Sequence, residues 1–370
     1  MSEPCGRYAQ RDLCRRRGLC HRAAGSRDSG LFPPPRLLPD LDRVTETLIS
    51  LGKSPNVAAV LVVSLGCEGT DHERLTAEIR KTGKPVRIIR IQELGGVSAA
   101  IKAGIDAAQE LVMLVSGIQR QPVSIDRITM AIKCGASDTT SGMASNCVVG
   151  YVADKLVDLG ATVVFGETTE FLGGEHLLAR RAVNPEVSDK IYEIVNRMEA
   201  RARSLGCDMR KGQPTPGNIE GGLSSIEEKS LGAIVKSGTR PIQGVMEYPE
   251  TIGQRKGLWI KDTPGREPEI LTGMAATGAQ FMMFSTGRGA PQGFPTMPVL
   301  KVCGNPNTYE RMSHDMDINA GRIITGEKSI EEVGEEAFSA ILDLLSGKQT
   351  KNETLGYHSS IDIYTLGPVI

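Results

Sequence analysis

The densest concentration of reactive side chains lies in Glu167-Thr-Thr-Glu-Phe-Leu-Gly-Gly-Glu-His-Leu-Leu-Ala-Arg-Arg181, where three carboxylates, one histidine and two arginines fall within fifteen positions. Such a set can move protons and hold an anion: a carboxylate or imidazole as base, a carboxylic acid as acid, an arginine as the cationic fork. It follows the β-branched run Ala161-Thr-Val-Val-Phe165 and Gly166, so a strand should deliver it to a loop and a short helix. His176, next to Glu175 and one turn before Arg180, reads either as a general base or metal ligand oriented by neighbouring carboxylates, or as an ordinary helix residue.

Other reactive groups lie far from that stretch in sequence. Cys67 and Cys134 sit in glycine-adjacent loops beside Glu68 and Asp138. Thiolate, carboxylate and imidazole together suit ferrous iron or another divalent first-row metal acting as a Lewis acid, whereas a buried free thiol simply packs. Cys147, Cys207 and Cys303 read as packing or surface residues. Arg288, between two glycines, could hold a substrate carboxylate through both arms of its guanidinium. Lys229, Asp315 and Asp317 read as pocket residues or as a solvated face. Glycine-rich loops such as Asp262-Thr-Pro-Gly265 belong where open α/β sheets bind ligands. No Gly-x4-Gly-Lys-Ser/Thr loop occurs, and no Gly-x-Gly-x-x-Gly opens a helix after a strand, which argues against ATP and NAD.

The elements that must position these groups follow from length and patterning. A chain of 370 residues predicts two compact units. Lysines and arginines (43) nearly balance acidic residues (44) and aromatics are scarce at 4%, so neither nucleic acid nor an anionic membrane surface is an expected partner. A small molecule is. Eight scattered cysteines make no disulfide framework and no run approaches the roughly 18 apolar residues of a membrane span, which points to the cytoplasm. The first forty residues hold eight arginines, no lysine and a triple proline, and read as an atypical leader, disordered or mistranslated.

From residue 41 the pattern becomes regular. A helix to Leu51, the buried-strand run Asn56–Val63, a helix near 71–81, a strand at 85–91 and a helix from Val97 to Val115 make a βαβα unit, residues 41–125. Residues 126–370 alternate again, with strands at 128–133, 161–165, 242–247, 257–261, 280–284 and 299–302 and a closing helix from Ser329 to Leu345. Helices at 175–182 and 186–205 follow the strand at 161–165. The fold class is α/β: two mostly parallel-sheet α/β domains with helices covering the sheets.

Several segments coincide in order with one family. Leu-Gly-Cys-Glu68, Lys-Cys-Gly-Ala-Ser-Asp138, Gly-Glu-Thr-Thr-Glu170, Gly-Gly-Glu-His-Leu-Leu178, Pro-Thr-Pro-Gly-Asn218, Gly-Gly-Leu-Ser-Ser-Ile-Glu-Glu-Lys-Ser-Leu-Gly232, Thr-Gly-Arg-Gly289 and Asp-Met-Asp-Ile-Asn319 together resemble the altronate/galactarate dehydratase family. The resemblance runs from about residue 41 to the C-terminus. It implies an iron-dependent lyase that removes water from a sugar acid to give a 2-keto-3-deoxy acid, with sulfolactate sulfo-lyase as a relative that expels sulfite. On that footing His176, Glu170, Asp138 and Lys229 are expected to be catalytic. Ser137, Asn218, Thr286 and Arg288 are expected to bind substrate, and Cys67, Cys134 and Glu175 to hold Fe(2+) or a similar metal. Family members usually open with a Gly-Cys-Gly-Gln-like segment, where this chain has Gly30-Leu-Phe-Pro-Pro-Pro-Arg, so the leader is read as frame-shifted or mis-started, and a non-catalytic acid-binding subunit is the rival reading. A homo-oligomer is expected, with a separate small subunit as a further partner.

Overall fold

The computed structural model describes residues 38–367, and the expected leader falls outside them apart from its last few residues. The chain opens with α1 (Leu38–Lys53), β1 (Val60–Ser64), α2 (His72–Arg80), β2 (Val86–Arg90) and α3 (Val97–Val115). β1 and β2 pair in parallel, Val60 opposite Val86 through Ser64 opposite Arg90. Alternation along β1 sends Val60 and Val62 into a core with Val44 and Leu48 of α1 and Leu75 and Ile79 of α2, while Leu61 packs near Leu111 and Val115 of α3. Asp71 caps α2 by accepting from the Arg74 N–H at 2.9 Å.

The second sheet has seven strands: β3 (Thr129–Gly135), β4 (Thr162–Phe165), β5 (Ile242–Met246), β6 (Gly257–Lys261), β7 (Phe281–Thr286), β8 (Val299–Cys303) and β9 (Ile318–Asn319). They lie in the order β5-β6-β4-β3-β7-β8-β9, every pair parallel. β3 is central. The chain builds β4, β5 and β6 on one side of it and then crosses back to place β7 on the other, which makes the carboxyl ends of β3, β4 and β7 a switch point of the kind that holds ligands.

The helices between these strands are α4 (Asn146–Asp158), α5 (Glu175–Ala179), α6 (Pro185–Ser204), α7 (Met209–Gly212), α8 (Pro216–Glu220) and α9 (Ile226–Ile234). Then come α10 (Glu267–Thr277), α11 (Pro306–Arg311), α12 (Gly321–Ile324), α13 (Ile330–Leu345) and α14 (Lys351–Leu355). One face of the sheet, with Met130, Ile132, Val163 and Phe165, packs on α4, α6 and α13. The opposite face, with Ala131, Val164, Met282 and Phe284, packs on α10. Both faces are covered, which is why the strands read as continuous apolar runs rather than as alternation. Among the described residues no helix is long and apolar enough to cross a membrane.

Element boundaries differ from the sequence reading in small, explicable ways. The helix expected to reach Ala182 stops at Ala179, because Ala182 bridges to Ile242 at the sheet edge. A single π-helical turn, Ser141–Ser145, precedes α4. The capping box expected at the closing helix is present, with Ser329 and Glu332 each bonding the other's backbone N–H. The two sheets are tied together by Asn56, whose Nδ2 donates to the carbonyls of Gln280 and Thr296 at 2.9 Å. Ile363 and Tyr364, near the C-terminus, pack in the core of the first sheet.

Candidate active site

At the carboxyl end of β3 two buried lysines meet one buried glutamate. Successive residues of a strand point to opposite faces, so Lys133 and Cys134 leave β3 on opposite sides. Glu167, the first residue after Gly166 at the end of β4, spans the gap between them. Its Oε1 accepts from Lys133 Nζ at 3.1 Å, and its Oε2 accepts from the Cys134 N–H at 2.8 Å and from Lys236 Nζ. Lys236 also donates to Cys134 Sγ at 3.0 Å. All four side chains are buried, and Lys133 lies 4.8 Å from the Phe284 ring centre.

Charge is kept in this dry place by mutual compensation. Burial alone would push Glu167 up, but the charges of Lys133 and Lys236 and the hydrogen bonds donated to it hold it below the usual carboxylate range. Burial works against the charge on both lysines, and the surrounding negative groups more than reverse that, so both stay protonated. Burial, with Glu167 adding to it, pushes the Cys134 thiol up to about 12, so it remains a thiol at neutral pH. Glu167 has φ of 68° and Ala136, in the loop after β3, has φ of 48°. Non-glycine residues in this region are strained, and such strain concentrates at functional sites.

One turn beyond Glu167, Glu170 pairs with Lys229 of α9 at 3.2 Å, and Lys229 also donates to Gln213 Oε1 at 2.6 Å. The two side chains are 14% and 10% exposed, largely shielded from bulk water. Glu170 Oε2 is buried with no hydrogen-bond partner among the described residues. Glu175 Oε2 is likewise buried and unpartnered, whereas His176 points from α5 into solvent and no hydrogen bond joins it to Glu170 or Lys229.

The remaining expected residues converge on the loop after β3. Asp138 is buried and fully engaged: Oδ1 accepts from Thr140 Oγ1 at 2.6 Å and from the Ser141 N–H at 3.0 Å, and Oδ2 accepts from Asn305 Nδ2 at 3.1 Å. A Cβ on Gly287 would lie 1.9 Å from Asp138 Oδ1, which is the physical reason for the glycine before Arg288. Asn218 donates from Nδ2 to the Ser137 carbonyl at 2.9 Å and completes the capping box of α8 with Thr215. Thr286 Oγ1 accepts from the Gly289 N–H at 3.0 Å, closing the turn that carries Arg288. Arg288 itself reaches the Gly217 carbonyl and, at 3.0 Å, Glu220, both on α8.

The metal expectation fares differently. Among the described residues no three or more His, Cys, Asp or Glu side chains gather where they could hold a metal ion. Cys67 is exposed after β1 and accepts from Gln92 Nε2 at 3.2 Å, Cys134 is occupied by Lys236, and Glu175 stands on α5. Cys67, Cys134 and Glu175 therefore form no common ligand set, and ferrous iron does not fit these three. Lys133 and Lys236, in turn, were not among the expected site residues. The signal for Lys133 was available, since it interrupts the otherwise apolar run Met130–Cys134 of a strand buried on both faces; nothing local marked Lys236.

Comparison with known proteins places the chain in one family. Residues 125–369 match the family model described as D-galactarate/altronate dehydratase, C-terminal. Residues 34–116 match that of D-galactarate dehydratase/altronate hydrolase, second domain. The chain is 39% identical over 324 residues to the (2R)-sulfolactate sulfo-lyase subunit beta of Chromohalobacter salexigens, covering 87% of this chain and 82% of that one. It is 35% identical to the galactarate dehydratase (L-threo-forming) of Escherichia coli, covering 87% and 63%, and 31% identical to the altronate dehydratase of Bacillus subtilis, covering 85% and 62%. The chain thus spans less than two thirds of the length of either dehydratase.

Proposed function

Because this chain belongs to the D-galactarate/altronate dehydratase family, we propose that it is a lyase that eliminates water from a sugar acid of the galactarate or altronate type to give a 2-keto-3-deoxy acid. The observation that carries this reading is the shielded Glu170 and Lys229 pair, placed at the sheet's switch point beside a buried charged cluster. Elimination needs a base for the proton next to the carboxylate and an acid for the departing hydroxyl. Glu170 and Lys229, paired at 3.2 Å, can supply both: one takes the α-proton and the other protonates the leaving oxygen. The product enol then tautomerises to the keto acid.

The other groups position. Arg288 can exchange its Glu220 partner for a substrate carboxylate, a pairing of the same chemistry. Asp138, with both oxygens engaged, fixes the loop that presents Ser137 rather than donating a proton itself. Iron, implied by the family resemblance, has no ligand set in Cys67, Cys134 and Glu175, and the roles given to these side chains stand without it.

A second reading is favoured by identity: the chain is 39% identical to the sulfo-lyase subunit beta, against 35% and 31% to the two dehydratases. In that case the carbon–sulfur bond breaks, its electron pair leaves with sulfite, and a separate small subunit completes the enzyme. Incubating the purified protein with galactarate, altronate and sulfolactate, with and without added ferrous iron, separates the two. Keto acid from a sugar acid without sulfite supports dehydration, and sulfite from sulfolactate supports the second reading. Neither product from folded protein in any combination contradicts both.

A further inference from the structure

The Asp262-Thr-Pro-Gly265 loop leaves β6 beside the loop that carries Glu167 and Glu170 out of β4, because β4 and β6 are adjacent and parallel. Thr263 is fully buried and holds the neighbouring backbone at two points. Its Oγ1 accepts from the Glu167 N–H at 2.8 Å, and its carbonyl accepts from the Thr168 N–H at 3.0 Å. Thr168 Oγ1 in turn donates to Asp262 Oδ1 at 2.6 Å, and Asp262 Oδ2 accepts from Arg197 of α6 at 2.6 Å. The two loops meet without slack: a Cβ on Gly166 would strike Thr263 Oγ1, and one on Gly265 would lie 2.7 Å from Thr169 Oγ1.

This clamp falls on a strained residue. Glu167 has φ of 68°, a conformation that non-glycine residues adopt at a cost, so the surroundings must hold it there. Its carboxylate is fixed by Lys133 and Lys236, but those bonds leave its backbone N–H to find a partner of its own, and the Thr263 hydroxyl is that partner. Deprived of this acceptor, the buried N–H has no water to turn to and the backbone must move. The Glu167 carbonyl accepts from the Glu170 N–H at 2.7 Å and starts the 3₁₀ turn Thr168–Glu170, so where Glu167 turns, Glu170 follows. We propose that Thr263 is a positioning residue: through the left-handed backbone of Glu167 it sets where Glu170 stands against Lys229. Its consequence for turnover rests on the reading of Glu170 and Lys229 as the acid and base pair.

Three variants test this. Thr263→Val keeps the shape and removes the acceptor, and Thr263→Ser keeps the acceptor. Thr162→Val removes a buried hydroxyl at the far end of β4, where Thr162 Oγ1 donates to the Arg255 carbonyl at 2.8 Å. Crystal structures give a readout that holds whatever the reaction. In Thr263→Val, Glu167 should leave the left-handed region and the 3.2 Å pair of Glu170 and Lys229 should open, whereas in Thr263→Ser both should stay. Kinetics with the accepted acid give the second readout. Thr263→Val should lose about 100-fold in kcat, the scale of a misplacement of about 1 Å, with KM within a factor of about two, while Thr263→Ser and Thr162→Val keep the wild-type kcat. Should Thr263→Val not fold, Thr263→Cys, a much weaker acceptor, carries the same expectations in smaller measure. An intact pair in the variant without the hydroxyl, an equal loss of kcat in Thr162→Val, or an unchanged kcat where Lys229→Met has lost its turnover would each overturn the proposal. A pair that opens while Lys229→Met turns over like wild type would instead remove the acid and base assignment and leave the positioning in place.

Discussion

Lys133 and Glu167 form a buried ion pair at 3.1 Å that joins the ends of the two adjacent parallel strands β3 and β4. Glu167 also holds Lys236 and the Cys134 N–H, so a single carboxylate bridges two buried ammonium groups from opposite faces of the sheet, while Glu267, 3.4 Å from Lys133, supplies a second carboxylate. Removing one partner of such a cluster leaves the other charges buried without compensation. Glu167→Gln should lower stability by about 3–5 kcal/mol, read as a shift in the urea midpoint with unchanged slope. Glu335→Gln, which breaks the exposed pair with Lys155, should leave the midpoint where it is. Equal midpoints for the two variants would show that the cluster holds nothing together.

The same cluster sets the acid limit of stability. Glu167 is held below its ordinary 4.5, so the unfolded chain binds its proton more readily, and the stability this carboxylate contributes is present above about pH 4.5 and lost as pH falls through its depressed value. At the alkaline end burial pulls Lys261 and Lys301 down to about 7 from 10.5. Between those values the unfolded chain binds protons that the folded amines release, so stability should rise with pH across that window. Urea titrations at pH 7 and pH 9 should show the rise, and Lys261→Met with Lys301→Met should flatten it.

Gly287 offers a steric test of the loop that carries Arg288. A methyl group there would collide with Asp138 Oδ1 and force apart the hydrogen bonds to Thr140, Ser141 and Asn305. Gly287→Ala should cost about 1–3 kcal/mol, the usual range for overpacking, and should raise the Michaelis constant for a carboxylate substrate. Gly117→Ala, at a position with nothing within 4 Å, is the control and should do neither.

Much of the fold was legible in the sequence because its strands are covered on both faces. The runs at 161–165 and 299–302 are continuous, apolar and short, and they became β4 and β8 almost to the residue. α3 was bounded correctly at both ends. β9 escaped notice because two residues carry no period, and so did the π turn at Ser141–Ser145. The site was legible in part. Glu170, Lys229 and Asp138 were named through the family resemblance, but which of them meet depends on strand order, and no local pattern encodes that β7 lies beside β3. Lys236 looks like any solvated lysine until Cys134, 102 residues away, is seen to accept its hydrogen bond. His176 illustrates the converse: its neighbours in sequence are carboxylates, yet the short helix α5 turns it outward.

We propose that Glu170 and Lys229 serve as the acid and base of the elimination. The most direct measurement compares turnover of the accepted sugar acid by Lys229→Met and His176→Ala with wild type at one pH, alongside circular dichroism for each. Lys229→Met should lose about 10²- to 10⁴-fold in kcat, the usual contribution of a general acid or base, while His176→Ala stays within a factor of about two, the change expected at an exposed side chain. Retained turnover in Lys229→Met, or its loss in a folded His176→Ala, would contradict these roles.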